Sequence, residues 1–119
     1  LLHAIIESII GAMGLGDIGK HFPDTDPKYK GISSMVLLQH TYEFMEQEGY
    51  EIGNIDSIIM CEEPKMAPYI ITMRENVARV LHCDITQVNI KATRGEKLGF
   101  VGRKEGIVSQ SVVLLNKKG

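Results

Sequence analysis

The sequence predicts one α/β domain, an α+β sandwich in which helices pack on one face of a small mixed sheet. Its 119 residues are enough for a single domain. Hydrophobic residues make up 44% and charged residues 24%, close to the average of soluble globular domains, which argues against disorder. Segments with a helical period alternate along the chain with short apolar runs that are typical of strands.

Three helices are predicted from apolar side chains that recur every three or four residues. The first covers residues 1–13. The second follows Ser33 or Ser34, either of which can cap its first turn, and runs to about residue 47. The third begins at Pro68, because proline suits the first turn of a helix. The apolar stripe of this third helix consists of Ile70, Met73, Val77, Val80 and Leu81.

Three strands are predicted between and after these helices. Residues 51–60 are rich in isoleucine, residues 88–93 form a short strand, and residues 107–116 close the domain. The last strand is rich in valine and leucine with a mixed period, which predicts burial on both faces. Residues 17–30 and the glycine-rich residues 95–106 are predicted to be irregular loops.

Charge and cysteine content narrow the class of protein. The net charge is -2 and the isoelectric point about 6.1, so there is no basic footprint for nucleic acid and no polybasic membrane patch. No apolar run approaches the ~18 residues of a membrane span. Nothing indicates secretion, so we expect Cys61 and Cys83 to be reduced thiols. We therefore expect neither a nucleic-acid partner nor a membrane partner.

The residues Gly14 to Gly19 match the G-x-G-x-x-G pattern. A dinucleotide-binding fingerprint must follow a strand and begin a helix, whereas this one follows a helix and enters a loop. Two other interpretations remain open. The glycines could end the helix and form turns, or they could form a loop whose backbone amides contact a polar ligand.

An acidic loop follows between two prolines. Pro23 and Pro27 fix the backbone on both sides of Asp24, Thr25 and Asp26. The segment is either a solvated turn or a rigid acidic edge that binds hydroxyl groups or a metal.

Two further segments follow predicted strands, where open sheets bind ligands. In residues 62–68, Lys65 lies near a helix N-terminus, which favours an anion, although a plain surface loop is the alternative. Residues 91–103 carry four basic residues, one carboxylate and three glycines. Phosphate binding uses cations, backbone amides and often Mg²⁺ on a carboxylate, so this segment is a candidate phosphate site.

His3 is a single histidine on the first helix, one residue away from its apolar stripe. A zinc site needs further ligands, and no characteristic pair spacing accompanies His3 in the sequence. From the residues alone, a structural role is the simpler interpretation.

Taken in order, these segments resemble the 2-C-methyl-D-erythritol 2,4-cyclodiphosphate synthase family of the non-mevalonate isoprenoid pathway. The resemblance covers essentially the whole chain, and the ordered set is more specific than any one motif. The segments that carry it are L-L-H-A from Leu1, G-D-I-G from Gly16, F-P-D-T-D from Phe22, G-N-I-D from Gly53, P-K-M from Pro64, K-A-T from Lys91, E-K-L-G-F from Glu96, G-R from Gly102 and E-G-I from Glu105.

The resemblance implies a phosphorus–oxygen lyase. In this family the 2-phosphate of 4-diphosphocytidyl-2-C-methyl-D-erythritol 2-phosphate attacks the β-phosphate, CMP leaves and the cyclic diphosphate forms. The family implies a homotrimer whose sheets face its centre and whose active sites lie at subunit interfaces. An isoprenoid diphosphate could occupy the central channel, which Arg103 and Glu105 would line. The implied location is a bacterial cytoplasm or a plastid.

The resemblance also implies roles for individual residues. His3 matches a ligand of Zn²⁺ or another divalent transition metal, and Glu96 matches the ligand of Mg²⁺ or Mn²⁺. Arg94 and Glu96 match catalytic positions, although Arg94 stands where the family usually has a hydroxyl residue. The implied substrate-binding residues are Asp17, Ile18, Gly19, Phe22, Pro23, Asp24, Thr25, Asp26, Cys61, Glu62, Glu63, Pro64, Lys65, Met66, Ala67, Thr93, Arg94, Gly95, Glu96, Phe100 and Arg103.

The family's opening strands and its Asp-x-His segment, which carries two zinc ligands, have no counterpart before Leu1. We therefore expect residues 1–119 to be a single synthase domain that lacks this segment. Two alternatives follow, a truncated inactive synthase and a non-enzymatic module that binds cytidine nucleotides or other small ligands. Metal content and CMP release distinguish them.

Overall fold

A computed structural model describes residues 1–23, 32–63, 65–95, 98–103 and 106–118. The helices are α1 Leu2–Ala12, α2 Ile18–His21, α3 Ser34–Gln47, α4 Ile70–Val80 and α5 Gly99–Gly102, with 3₁₀ turns at Ala67–Tyr69 and Ile85–Gln87. The strands are β1 Tyr50–Met60, β2 Val88–Thr93 and β3 Val108–Lys117. The predicted α/β class is confirmed. Within these ranges no helix has both the length and the apolar character to cross a membrane.

The sheet has the order β2-β1-β3 and is mixed, as predicted. β1 runs parallel to β2, with Ile55 beside Val88, and antiparallel to β3, with Ile55 beside Val113. The backbone amide of Cys61 donates to the carbonyl of Thr93 at 3.0 Å, which extends the parallel pairing past the end of β1. The segments that follow β1 and β2 therefore leave the sheet side by side at one edge.

The core lies between one face of this sheet and three helices. α1 packs against β3, α3 against β1 and α4 against β2. The helical period of α1 places four isoleucines on its inner face, and each is at most 1% exposed. Burial of this apolar area is the main driving force for folding. The four residues are Ile5, Ile6, Ile9 and Ile10.

Helix ends follow the expected chemistry. Ser33 is the N-cap of α3, and its hydroxyl accepts a hydrogen bond from the amide of Val36 at 3.3 Å. Pro68 lies in the 3₁₀ turn that leads into α4. α4 ends in a turn where His82 has a φ of 54°, a left-handed conformation that usually favours glycine. The His82 ring stacks on Tyr42 with centroids 4.3 Å apart, which provides a contact that glycine could not make.

The prediction that the last strand is buried on both faces is wrong. β3 alternates, because Val113 and Leu115 pack against the core while Val112 is 73% exposed and Leu114 62% exposed. All three long helices pack on the opposite face of the sheet, so no described residue covers these two side chains. The sheet therefore presents an open face with apolar side chains on it.

Two short helices lie where loops were predicted. α2 occupies part of the segment 17–30, and α5 lies within 95–106. Each has 4 residues, too few to show a helical period in the sequence. The N-cap of α2 has a signal in the sequence, because aspartate is a favoured N-cap residue. In the structure the Asp17 carboxylate accepts a hydrogen bond from the Lys20 amide at 2.9 Å.

Both cysteines are free thiols. Cys61 is buried and its thiol donates to the carbonyl of Glu63 at 2.9 Å. Burial and, to a smaller extent, the nearby carboxylate of Asp84 raise the pKa of the Cys83 thiol to about 11. Cys83 is therefore protonated at neutral pH.

We expect replacement of a core isoleucine to destabilise the domain much more than replacement of an exposed one. Ile9→Ala removes a side chain that is 0% exposed and leaves a cavity, which should cost about 2–5 kcal/mol of unfolding free energy. Ile71→Ala, on a helix but 54% exposed, is the matched control and should cost less than about 1 kcal/mol. Urea unfolding followed by circular dichroism measures both. Equal losses would contradict the described core.

Candidate active site

A cavity of about 160 Å³ opens at the edge of the sheet where β1 and β2 end. It joins two motifs that lie far apart in the sequence, the segment after β1 and the segment after β2. Six of its seven lining residues belong to the predicted substrate-binding set, and Ala92 is the addition. The lining residues are Cys61, Lys65, Met66, Ala67, Ala92, Thr93 and Arg94.

The cavity carries two cationic side chains, Lys65 and Arg94, from different motifs. Arg94 is paired with Glu62, since its Nη2 lies 3.2 Å from the carboxylate Oε1. The Arg94 side chain is 41% exposed, whereas the Glu62 side chain is 3% exposed. Cations on both walls make the cavity suited to an anionic ligand. Glu62 itself lies beneath Arg94 and does not line the cavity.

A second group of predicted residues lies in the turn that contains α2. Asp17 uses one carboxylate oxygen to cap this helix, and Gly16 takes a φ of 95° that suits glycine. The amide of Ile18 donates to Glu7 Oε1 at 3.1 Å. Glu7 was not among the predicted site residues, although its position four residues after His3 places both on one face of α1. Glu7 therefore tethers the Asp17–Gly19 turn to α1.

Phe22 and Pro23 follow this turn. Phe22 packs against the edge of the core, and its ring lies 6.3 Å from the ring of His40. This contact fixes the chain just before the predicted acidic loop. The members of that loop, Asp24, Thr25 and Asp26, lie outside the described residues.

His3 is exposed on α1, and its Nε2 lies 3.1 Å from the hydroxyl oxygen of Ser34. A zinc site requires at least three protein ligands. In the parts of the chain that the structure describes, no three His, Cys, Asp or Glu side chains are placed to hold one metal ion. The described residues thus supply one imidazole and do not fit a complete zinc site.

The glycine-rich segment after β2 is closely packed. A Cβ atom on Gly95 would lie 2.5 Å from the backbone nitrogen of Gly102, so only glycine permits this approach of α5. Phe100 on α5 is 50% exposed, and Arg103 at the end of α5 is also exposed. Neither lines the cavity described above. The predicted residues Pro64 and Glu96, with Glu105, lie outside the described ranges.

Known proteins resemble this chain in sequence and in fold. The model of the YgbB family matches residues 1–116. A protein of Clostridioides difficile named 2-C-methyl-D-erythritol 2,4-cyclodiphosphate synthase is 61% identical over 115 residues, which are 97% of this chain and 71% of that protein. A protein of the same name from Syntrophotalea carbinolica is 57% identical, over 98% of this chain and 71% of its own length.

Solved structures agree with these relatives. The bifunctional IspDF from Campylobacter jejuni has a TM-score of 0.92 and 44% identity, and the match covers 98% of this chain and 32% of that one. Plasmodium falciparum IspF in complex with CDP has a TM-score of 0.86 and 31% identity, over 99% of this chain and 70% of that one. Membership in this family implies dependence on divalent metal. The chain belongs to the YgbB family and is similar over most of its length to proteins named 2-C-methyl-D-erythritol 2,4-cyclodiphosphate synthase.

Proposed function

We propose that this chain converts 4-diphosphocytidyl-2-C-methyl-D-erythritol 2-phosphate into 2-C-methyl-D-erythritol 2,4-cyclodiphosphate and CMP, as a step of isoprenoid precursor synthesis. The observation that carries the proposal is the cavity at the ends of β1 and β2, where Lys65 and Arg94 come together from two motifs. Relatives with the synthase name and a related structure with CDP bound support the substrate class.

The chemistry is an intramolecular phosphoryl transfer. An oxygen of the 2-phosphate forms a bond to the β-phosphorus, the bond between that phosphorus and the bridging oxygen breaks, and CMP leaves with the oxygen. Such reactions depend mainly on positioning and on stabilisation of charge at the phosphoryl oxygens. Lys65 supplies a point charge and Arg94 a planar guanidinium for this purpose. The Asp17–Gly19 turn, held by Glu7, is the proposed partner of the methylerythritol hydroxyls.

The proposed metals are Zn²⁺ or another divalent transition metal, and Mg²⁺ or Mn²⁺. His3 is the proposed transition-metal ligand and Glu96 the proposed Mg²⁺ ligand. When bound, such ions act as Lewis acids that polarise phosphate oxygens. The described residues supply one histidine of this ligand set, and the proposed roles of Lys65 and Arg94 do not depend on the metals.

The proposed assembly is a homotrimer with active sites at subunit interfaces. The open face of the sheet supports it, because Val112 and Leu114 are exposed there and half-buried Ile58 and Met60 extend the same face. Exposed apolar patches of this kind mark interaction surfaces. In such a trimer Arg103 is proposed to line a channel for an isoprenoid diphosphate. The proposed location, a bacterial cytoplasm or a plastid, rests on the bacterial relatives.

A second candidate is a chain that binds cytidine nucleotides without turnover, which includes an inactive synthase. The incomplete set of metal ligands among the described residues favours it. The two candidates share the cavity and differ only in CMP release.

We expect the protein to release CMP from the cytidine substrate in the presence of Zn²⁺ and Mg²⁺, and EDTA to abolish this release because the family depends on divalent metal. Lys65→Ala should weaken CDP binding about tenfold, since a charge-assisted hydrogen bond is lost. Lys118→Ala, which removes the exposed partner of Glu46, is the control and should leave CDP affinity unchanged. Chromatography of CMP and calorimetric titration with CDP measure these effects.

Either part of this experiment can fail separately. CDP binding without CMP release would favour the non-catalytic candidate. Equal CDP affinity in Lys65→Ala and the unaltered protein would remove Lys65 from the site.

We expect the protein to sediment at three times the mass of one chain, and Val112→Glu to reduce that mass. A carboxylate at this position would be buried without a partner in a trimer, which is unfavourable. Ile71→Glu, an equally drastic change of an exposed isoleucine on α4, is the control and should leave the mass unchanged. A single-chain mass for the unaltered protein in analytical ultracentrifugation would contradict the trimer.

A further inference from the structure

Glu62 is the one buried acidic residue in the parts of the chain that the structure describes. Its side chain is 3% exposed, and its Oε1 accepts a hydrogen bond from Nη2 of Arg94 at 3.2 Å. No donor among the described residues reaches the second oxygen, Oε2. A buried carboxylate is costly unless it is paired, so Arg94 is the group that makes the burial of Glu62 tolerable.

Arg94 contacts buried Glu62 and also lines the cavity. One Nη group faces Glu62, while the side chain remains 41% exposed and lines the cavity that also contains Lys65. A guanidinium has five N–H donors in a fixed plane, so one hydrogen bond to a carboxylate orients the whole group. Among the described residues, Glu62 is the one hydrogen-bond partner of Arg94, so its other donors can meet an anion in the cavity.

Stability alone does not account for this pair. Buried ion pairs are often replaceable by apolar residues with no loss of stability, because desolvation offsets the attraction between the charges. The two partners also come from different strands, Glu62 after β1 and Arg94 after β2, at the edge where the cavity opens. The pair therefore links the two segments that meet at the cavity.

We propose that Glu62 is a positioning residue that holds the Arg94 guanidinium in the cavity, where Arg94 recognises the β-phosphate of the cytidine diphosphate group. This inference rests on the proposed function and deepens it. Arg94 would make the site discriminate a nucleoside diphosphate from a monophosphate. Glu62 would not touch the substrate and would act only through Arg94.

The contact of Arg94 with phosphate is tested by titration of CDP and CMP in a calorimeter. We expect Arg94→Gln to weaken CDP binding about tenfold and CMP binding less than about twofold, because only CDP carries the β-phosphate. Arg94→Lys keeps the charge and should recover part of the CDP affinity. Arg79→Gln, near the C-terminal end of α4, is the control for loss of one positive charge. An unchanged ratio of CDP to CMP affinity in Arg94→Gln would overturn the assignment.

The positioning role of Glu62 is tested by the rate of CMP release in a double-mutant cycle. Glu62→Gln keeps an acceptor but loses the charge that fixes the guanidinium. We expect kcat to fall about tenfold through lost alignment, with no rise in KM because a negative charge near the phosphate is also removed. In the Arg94→Gln background the same change should cause no further fall. An equal fall in both backgrounds, or a rise in KM at unchanged kcat, would overturn the role.

Nuclear magnetic resonance of the Arg94 side-chain nitrogens provides a readout that needs no turnover. We expect CDP but not CMP to shift the Arg94 Nε signal, and Glu62→Gln to abolish the slow rotation of the guanidinium in the free protein. A guanidinium that rotates equally in both proteins would overturn the inference. If the unaltered protein released no CMP, the proposed function would fail, while the titrations and these spectra would still decide the roles of Arg94 and Glu62.

Discussion

The parallel pairing of β1 with β2 is the constraint on which the candidate site depends. Parallel neighbours leave a sheet at the same edge, so the segments after Met60 and after Thr93 emerge together. The hydrogen bond from the Cys61 amide to the Thr93 carbonyl keeps them in register beyond the last paired residues. α4 makes this arrangement possible as the crossover between the two strands, and its buried face packs on β2. Without that crossover, Lys65 and Arg94 would not share a cavity.

The charged groups of the site differ in their exposure to solvent. Lys65 and Arg94 keep contact with solvent through the cavity, whereas Glu62 is enclosed and depends on one cation. On the open face of the sheet, the exposed side chains of Asp56 and Lys91 form an ion pair with a distance of 3.1 Å between Oδ2 and Nζ. Hydrogen bonds from Lys91 and Asn89 lower the pKa of Asp56. Exposed pairs of this kind contribute little to stability.

The sequence predicted α1, α3, α4, β1 and β3 because the apolar pattern of each extends over ten or more residues. The shorter β2 also lies where its apolar pattern indicated. α2 and α5 were missed because one turn has no period. The burial of the second face of β3 was predicted wrongly. An apolar run such as Val112 to Leu115 does not show whether its second face is covered by the same chain, by another chain or by solvent.

For the candidate site, the sequence predicted individual residues but not how they are brought together. Lys65 and Arg94 were identified from their motifs, and the structure adds their common cavity. Glu62 was predicted as a substrate-binding residue, whereas its contact with Arg94 and the contact of Glu7 with Ile18 could not be predicted, since each joins residues that are apart in the chain. His3 stood out only through the family resemblance, because a single imidazole on a helix carries no distinctive spacing.

Helix α1 connects His3 to the Asp17–Gly19 turn. His3 and Glu7 lie one helical turn apart on it, and Glu7 holds the Ile18 amide of the Asp17–Gly19 turn. The helix itself is anchored in the core by four buried isoleucines, which fixes the positions of His3 and Glu7 relative to each other. The distance between the His3 imidazole and the Asp17–Gly19 turn is therefore set by the pitch of one helix, through the contact of Glu7, rather than by the conformation of a loop.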